Sequence, residues 1–273
     1  IPWVEGLTIG QALARTATRN PERDALVFPA LDLRVSWREF FDQVDKAARG
    51  LLALGIQPGE HVAVWATNVP QWIVLQFATA RIGAVLVTIN PAYRPFELKY
   101  VLKQSNAVAL FLVERFKSSD YFATLAEVCP ELASAAPGLL RSDEFPRLRT
   151  VVAINGTPPA GALGWSDLQS RGVASCVDID ALGQSLKPTD PINIQYTSGT
   201  TGFPKAAMLS HRNLLLNAFY VGQCQRLSPA DRICIPVPFY HCFGCVLGNM
   251  CAIVYGAAMI VPAESFDPRA TLD

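Results

Sequence analysis

The sequence predicts an α/β protein with largely parallel sheets flanked by helices. Segments with apolar residues on one helical face alternate with short apolar runs of strand length, and a glycine often separates the two. The strand-like runs are apolar on both faces, which is typical of parallel strands covered by helices. Both observations favour the same fold class.

The first predicted helix begins at Ser36, which forms a capping-box pattern with Glu39. Apolar residues between positions 40 and 51 then follow on one helical face, and Gly55 ends the helix. Further strands and helices alternate along the chain. The predicted elements are a strand from Val62 to Trp65, a helix from Pro70 to Ile82, a strand from Ala84 to Ile89, a helix from Pro95 to Gln104, and strands at Ala109 to Val113, Thr150 to Ile154, Asn193 to Tyr196, Ile233 to Val237 and Ala257 to Val261.

Composition indicates a well-buried globular chain without electrostatic bias. Hydrophobic residues make up 51%, charged residues 17%, and the formal net charge is zero. No run of Lys and Arg with interleaved aromatics is present, so a nucleic-acid partner is not expected. The seven cysteines are irregularly spaced, which favours free thiols in a reducing compartment. We therefore expect a cytoplasmic protein.

The longest uncharged stretch runs from Ile233 to Ala263. It is long enough to cross a membrane, but Pro236, Pro238 and Gly256 interrupt it. We therefore predict a buried strand, a helix from about Gly244 to Tyr255 and a second strand, and no transmembrane segment.

Both ends of the sequence are typical of a portion of a longer protein. The chain starts without Met or a signal-peptide pattern, and a helix start with Asp267 as N-cap lies just before the last residue. Residues 133–164 are expected to be a surface excursion, and residues 183–191 are expected to be a joint between subdomains.

The segment from Tyr196 to Lys205 concentrates hydroxyl side chains, two glycines and one lysine. Glycines let main-chain N–H groups turn toward an anion, hydroxyls add donors, and Lys205 supplies a mobile positive charge. A strand precedes the segment and a helix with Ser210 as N-cap follows, so we expect a loop that joins a strand to a helix. Pro204 before the lysine and Ala206 after it disfavour a Walker A loop. The segment predicts a polyphosphate-binding loop rather than a polar linker.

A second segment, from Pro236 to Gly244, places an aromatic–histidine pair at the end of a predicted strand. The nearby pattern His241-Cys242-x-x-Cys245 is also compatible with a zinc or redox site. No second Cys/His pair with zinc spacing lies close by, so packing of the cysteines in the core is the favoured interpretation.

The loop from Thr197 to Lys205 resembles the phosphate-binding signature of the adenylate-forming superfamily, and the segment from Pro236 to Gly244 resembles that family's carboxylate-binding segment. The stretch Asn90-Pro91-Ala92-Tyr93-Arg94 is most similar to medium-chain fatty acyl-CoA synthetases. The resemblance implies a layered αβαβα fold, of which residues 1–273 would be an incomplete amino-terminal domain without the carboxy-terminal lid. The resemblance implies ATP binding by Thr197, Ser198, Gly199, Thr200, Thr201, Gly202 and Lys205, and acyl-substrate binding by Tyr240, His241, Gly244 and Val246, with Lys205 and His241 in catalysis.

The activity implied by the resemblance is activation of a fatty acid with ATP and Mg²⁺ to acyl-AMP, followed by transfer to CoA. One departure is Ala206, where the family usually has Gly, and a methyl group there would be costly if the backbone φ were positive. Two alternatives stay open: an adenylating enzyme for an aryl or amino acid with a carrier-protein acceptor, and a non-catalytic nucleotide-binding module. Chain length and oligomeric state are not determined by the sequence, and the isolated chain is expected to be inactive.

Overall fold

The computed structural model describes residues 1–197 and 204–272. The helices are α1 (Ile9–Arg19), α2 (Trp37–Ala53), α3 (Pro70–Ile82), α4 (Pro95–Ser105), α5 (Tyr121–Val128), α6 (Trp165–Ala174), α7 (Ile179–Ser185), α8 (His211–Cys224), α9 (Cys251–Tyr255) and α10 (Pro268–Leu272). The strands are β1 (Asp24–Phe28), β2 (Leu33–Ser36), β3 (His61–Trp65), β4 (Val85–Thr88), β5 (Ala109–Leu112), β6 (Arg115–Phe116), β7 (Ser119–Asp120), β8 (Thr150–Ala153), β9 (Leu163–Gly164), β10 (Pro191–Thr197), β11 (Lys205–Ser210), β12 (Arg232–Cys234) and β13 (Ala258–Ile260).

Two sheets organise the described chain. The larger has the strand order β11-β10-β4-β3-β5-β8-β9, and its neighbouring strands are parallel except for the antiparallel pair β10–β11. The smaller has the order β12-β13-β1-β2, with β2 antiparallel to β1. Helix α2 contacts both β1 and α3, and α3 contacts β4, so helices fill the space between the sheets. The predicted α/β class with largely parallel sheets is confirmed.

The central helices form where the sequence predicts them. Ser36 and Glu39 make the reciprocal capping box at the start of α2, which satisfies two otherwise unpaired N–H groups. Helix α3 begins at Pro70 and ends before Gly83, whose φ of 73° is left-handed. From Trp72 to Ile82 every residue of α3 is buried, which explains why this helix lacks a polar face.

The region around the polyphosphate motif differs from the prediction. We predicted that the loop joins a strand to a helix, and this was wrong: the loop joins the antiparallel strands β10 and β11, and α8 follows β11. Ser210 is nevertheless the N-cap of α8, and its hydroxyl accepts from the Asn213 N–H. Hydrogen bonding across the β10–β11 hairpin was missed because the residues of β11 do not alternate clearly between polar and apolar.

The segment after His241 also differs in helical type. Residues Phe243–Met250 form a π-helix, and only Cys251–Tyr255 continue it as α-helix, where a single α-helix was predicted. The strand β12 ends at Cys234, earlier than predicted, because Pro236 and Pro238 cannot donate ladder hydrogen bonds. Within the described residues, no helix is both long and apolar enough to cross a membrane.

Candidate active site

The polyphosphate motif lies on the β10–β11 hairpin at one edge of the larger sheet. Thr197 ends β10 and is paired directly with Lys205, the first residue of β11. The Thr197 hydroxyl donates to the Lys205 carbonyl over 3.4 Å, and both residues are exposed. Of the residues assigned to ATP binding, Thr197 and Lys205 are therefore described. The others lie outside the described residues: Ser198, Gly199, Thr200, Thr201 and Gly202.

Ala206 lies in β11 opposite Tyr196, inside the antiparallel ladder. Its backbone is extended and does not have a positive φ. A methyl group is costly only where the backbone is left-handed. Ala206 therefore carries no such conformational cost.

The aromatic–histidine pair lies on an irregular turn between β12 and the π-helix. His241 is exposed, and its Nδ1 atom accepts from the Phe243 N–H at 3.2 Å. Because Nδ1 accepts, the proton of neutral His241 lies on Nε2, which can donate to a carboxylate. Tyr240 is half-buried beside His241. The pair can therefore present a ring N–H and a phenol to an acid substrate.

Gly244 and Val246 form the buried start of the π-helix. A Cβ atom on Gly244 would lie 2.4 Å from the Pro238 carbonyl oxygen, so the turn after His241 requires glycine here. Val246 is 4% exposed and packs in the core of the described chain. Both residues follow the aromatic–histidine pair closely in the chain, and their role in binding an acyl chain stays a prediction.

Thr88, at the carboxyl end of β4, connects the two motifs, and sequence reasoning missed it. Its hydroxyl donates to the Tyr240 carbonyl at 2.9 Å and lies 3.5 Å from the Ile194 carbonyl of β10. Gln195 of β10 adds a second link, because its Nε2 atom lies 3.1 Å from the Cys245 sulfur. Ligands of open α/β sheets bind at the carboxyl ends of parallel strands, and both motifs meet at such an edge.

A cavity of about 350 Å³ lies beside Tyr240. Its walls come from the ends of β3 and β4, the β6–β7 hairpin and the turn before His241. Lys117 and Glu264 bring one positive and one negative charge to this cavity, and Pro238 and Phe116 contribute apolar surface. A larger cavity of about 600 Å³ lies between Leu31 and Trp165, but Tyr240 lines only the smaller cavity. The smaller cavity is therefore the better candidate for the site.

Tyrosines surround the same edge. The hydroxyl of Tyr196 is buried and has no hydrogen-bond partner among the described residues, and burial raises its pKa above the usual range. Burial, and to a smaller extent Tyr240 and Glu97, raise the pKa of Tyr93. These phenols therefore stay neutral at physiological pH and can act as hydrogen-bond donors.

His211 does not reach the site. Its side chain is fully buried, and its Nδ1 atom accepts from the Ile9 N–H at 3.1 Å. Burial lowers its pKa to about 4, so it is neutral at physiological pH. His211 therefore joins α1 to α8 and has a structural role. His61 is half-buried and donates to the Ser105 carbonyl.

The cysteines are all free thiols. Cys245 is buried, and burial raises its pKa to about 12, so it is a neutral packing residue, whereas Cys242 is exposed beside His241. In residues 1–197 and 204–272, no three His, Cys, Asp or Glu side chains gather in a way that could hold a metal ion.

Comparison with known proteins identifies the class. A family described as "AMP-binding enzyme" matches residues 13–273, and the chain belongs to that family. It is 44% identical over 266 residues to YngI of Bacillus subtilis (strain 168), a provisionally named acyl-CoA synthetase, with 97% of this chain and 48% of that protein covered. It is 40% identical over 273 residues to human "Medium-chain acyl-CoA ligase ACSF2, mitochondrial", with 97% and 44% covered.

Among solved structures, an acetoacetyl-CoA synthetase from Streptomyces lividans superposes with a TM-score of 0.77. Its sequence is 28% identical, and the alignment covers 94% of this chain and 38% of that chain. The family resemblance seen in the two motifs is therefore confirmed. The chain spans about half the length of the curated relatives it matches.

Proposed function

We propose that the complete polypeptide activates a fatty acid with ATP to form acyl-AMP and pyrophosphate, and then transfers the acyl group to CoA as a thioester. The observation that carries the proposal is the hydrogen bond from Thr88 to the Tyr240 carbonyl, with the same hydroxyl 3.5 Å from β10. It brings the anion-binding hairpin and the aromatic–histidine pair to one sheet edge. A reaction between a carboxylate and a phosphate needs both groups there.

The chemistry follows from charge. A carboxylate and a triphosphate repel each other, so the site must neutralise phosphate charge while holding both reactants in line. Lys205 is exposed and carries the cation, and Thr197 adds a hydroxyl opposite it. His241 and Tyr240 face the place proposed for the acid, and Gly244 and Val246 would line its acyl chain. The remaining hydroxyls and N–H groups would come from residues 198–202.

Mg²⁺ would reduce the negative charge of the phosphates when it enters bound to ATP. The described residues fit a metal carried by the nucleotide better than a resident ion, because they offer no cluster of carboxylates around Lys205. The hydroxyl-rich hairpin is suited to phosphate oxygens, and Thr197 provides a hard oxygen donor at its base.

A medium-chain fatty acid is the substrate we propose, because the human and zebrafish relatives are named medium-chain acyl-CoA ligases. The buried apolar residues of the π-helix after His241, such as Val246, are consistent with an alkyl chain. An aryl or amino acid with a carrier-protein acceptor is the alternative. The proposed compartment is a reducing one, given seven free thiols. The cytoplasm is one such compartment, although the human relative is named mitochondrial.

The test measures ATP–pyrophosphate exchange by the complete enzyme with a panel of acids. Fatty acids from short to long chains are compared with benzoate and amino acids, followed by thioester formation with CoA or a carrier protein. The proposal expects exchange to be strongest with medium-chain acids and the product to be acyl-CoA. Exchange only with aryl or amino acids would support the alternative, and no exchange with any acid would favour a non-catalytic nucleotide-binding module.

The same assay on residues 1–273 addresses the part played by the rest of the protein. We propose that this portion, including a subdomain joint near residues 183–191, does not turn over alone. Acyl-adenylate formation by the 273-residue chain would contradict that proposal without affecting the proposed reaction.

A further inference from the structure

Asn68 holds the backbone of the turn that carries the aromatic–histidine pair. Its side chain is 3% exposed. Its Nδ2 atom donates to the Val237 carbonyl at 2.9 Å, and its Oδ1 atom accepts from the Phe239 N–H at 2.9 Å. The amide thus bonds to both peptide groups that flank Pro238, as a neighbouring strand would do.

The loop that carries Asn68 is itself fixed. The Asn68 N–H donates to the Glu264 carbonyl at 2.9 Å, and the Thr67 hydroxyl bonds to the Glu264 carboxylate. The rings of Trp72 and Phe239 also pack together, with centroids 5.4 Å apart. Side-chain bonds from such a buried loop can transmit a defined position to the turn.

Thr88 fixes the same turn from a second strand. It is 1% exposed, and its hydroxyl donates to the Tyr240 carbonyl at 2.9 Å. By contrast, the hydrogen bonds of His241 to other described residues lie within its own turn and the start of the π-helix. Its N–H donates to the Pro238 carbonyl, its Nδ1 accepts from the Phe243 N–H, and its carbonyl accepts from N–H groups of the π-helix. The position of His241 relative to Lys205 therefore depends on the anchors at Asn68 and Thr88.

We propose that Asn68 and Thr88 are positioning residues that set the distance between the acid-binding turn and the phosphate-binding hairpin. This inference rests on the proposed function. Asn68 fixes the turn before Tyr240, and Thr88 fixes Tyr240 to β4, the strand paired in parallel with β10. A displacement of about 1 Å between reactants lowers rate by about a hundredfold, so loss of either anchor would act on the acid more than on ATP.

The test compares Thr88→Val, Thr88→Ser and Asn68→Leu in the complete enzyme. Thr88→Val keeps the shape and removes the hydroxyl, and Thr88→Ser restores a donor. We expect Thr88→Val to lower kcat/KM for the acid by about tenfold and Asn68→Leu by about a hundredfold. The KM for ATP should change by less than about twofold, and Thr88→Ser should recover most of the lost activity.

Thr79→Val is the matched control. Thr79 is also fully buried, but its hydroxyl donates to the Leu75 carbonyl within its own helix. A general loss of packing would lower activity in Thr79→Val as well. It would also change the kinetic constants for ATP as much as those for the acid. Thermal unfolding of each variant shows whether it folds. If Asn68→Leu does not fold, the comparison of Thr88→Val with Thr88→Ser still tests the inference.

Two results would overturn the inference while leaving the proposed function intact. One is an active wild-type enzyme whose kcat/KM for the acid changes by less than about twofold in Thr88→Val and Asn68→Leu. The other is a loss in Thr88→Val that Thr88→Ser does not recover. An inactive wild-type enzyme would instead count against the proposed function, so the two failures are distinguishable.

Discussion

The two halves of the candidate site are built in opposite ways. The side proposed to bind phosphate lies on β11, an edge strand whose residues from Lys205 to Met208 are exposed. The side proposed to bind the acid is an irregular turn, yet buried side chains from β4 and the loop after β3 hold its backbone. One side displays charged and hydroxyl groups from regular structure, and the other places an irregular turn by tertiary hydrogen bonds.

This difference follows from what each ligand group requires. A triphosphate is large and highly charged, so exposed donors and a flexible lysine can reach it. A carboxylate must meet one phosphorus atom in line, so its site depends on fixed geometry. The comparison indicates that changes in the hairpin should affect binding of ATP with little effect on folding, whereas changes near α3 and β4 should affect stability.

The largest effect on stability is expected in the buried half. Phe77 is fully buried in α3, and its ring meets Phe40 with centroids 5.6 Å apart. Phe77→Ala should lower the free energy of unfolding by about 3–5 kcal/mol because it leaves a cavity. Met208→Ala, on exposed β11, should change it by less than about 0.5 kcal/mol. Urea unfolding of both variants checks this, and similar losses would remove the proposed contrast.

Lys205 should show the converse behaviour. Lys205→Met removes an exposed positive charge without removing a buried contact, so the unfolding temperature should stay close to that of the wild type. The kcat/KM for ATP in pyrophosphate exchange should fall by about 10²–10³, the usual loss for a group that stabilises transition-state charge. Lys187→Met, an unrelated surface lysine, is the control. An unchanged rate of pyrophosphate exchange in Lys205→Met would show that the Lys205 side chain does not contribute to the reaction.

Buried His211 should make the stability of the fold depend on pH. Its folded-state pKa of about 4, lowered by burial, lies below the unfolded value of 6.5. Its contribution is therefore complete above about pH 6.5 and decreases as the pH falls toward 4, because only the unfolded chain takes up the proton. Between pH 7 and pH 5 the loss should be about 2 kcal/mol.

His211→Asn keeps an acceptor for the Ile9 N–H and does not titrate in this range. The difference in unfolding free energy between wild type and this variant should therefore shrink as the pH falls from 7 to 5. Other titrating groups cancel in that difference. A constant difference across this range would show that protonation of His211 does not oppose folding.

The smallest effect is expected at Ala206. Because its backbone is extended, Ala206→Gly should not improve ATP binding, and the Kd should stay within about twofold of the wild-type value. The extra freedom of glycine should lower stability by about 0.5–1 kcal/mol. Calorimetric titration with ATP and thermal unfolding measure both. Clearly tighter binding by the variant would mean that the hairpin adopts another conformation with nucleotide.

The bounds of the central helices were predictable because capping residues, prolines and glycines lie next to the helix ends in the sequence. The bounds of α3 followed from Pro70 and Gly83, and the start of α2 followed from the Ser36–Glu39 box. The strand β11 was missed, because its residues have no period-two pattern and its partner is the strand before the loop. The π-helix was also missed, since its hydrogen-bond register is set by contacts such as Gln76 to the Cys245 carbonyl.

The residues proposed to touch substrate were predicted from the sequence, but those that hold the turn in place were not. Lys205, Tyr240 and His241 belong to short motifs whose residue types reveal their chemistry. Asn68 and Thr88 carry no such pattern, and a buried amide or hydroxyl far along the chain gains its role only from its neighbours.

The α/β class, the main helices and the two motifs could be predicted from the order of the residues, because hydrophobic period, capping and residue type act over short distances. That the two motifs share one sheet edge, and which buried side chains join them, became visible only in the folded chain. That arrangement depends on strand order and on hydrogen bonds between distant residues, since parallel strands that are neighbours in the sheet are far apart in the chain.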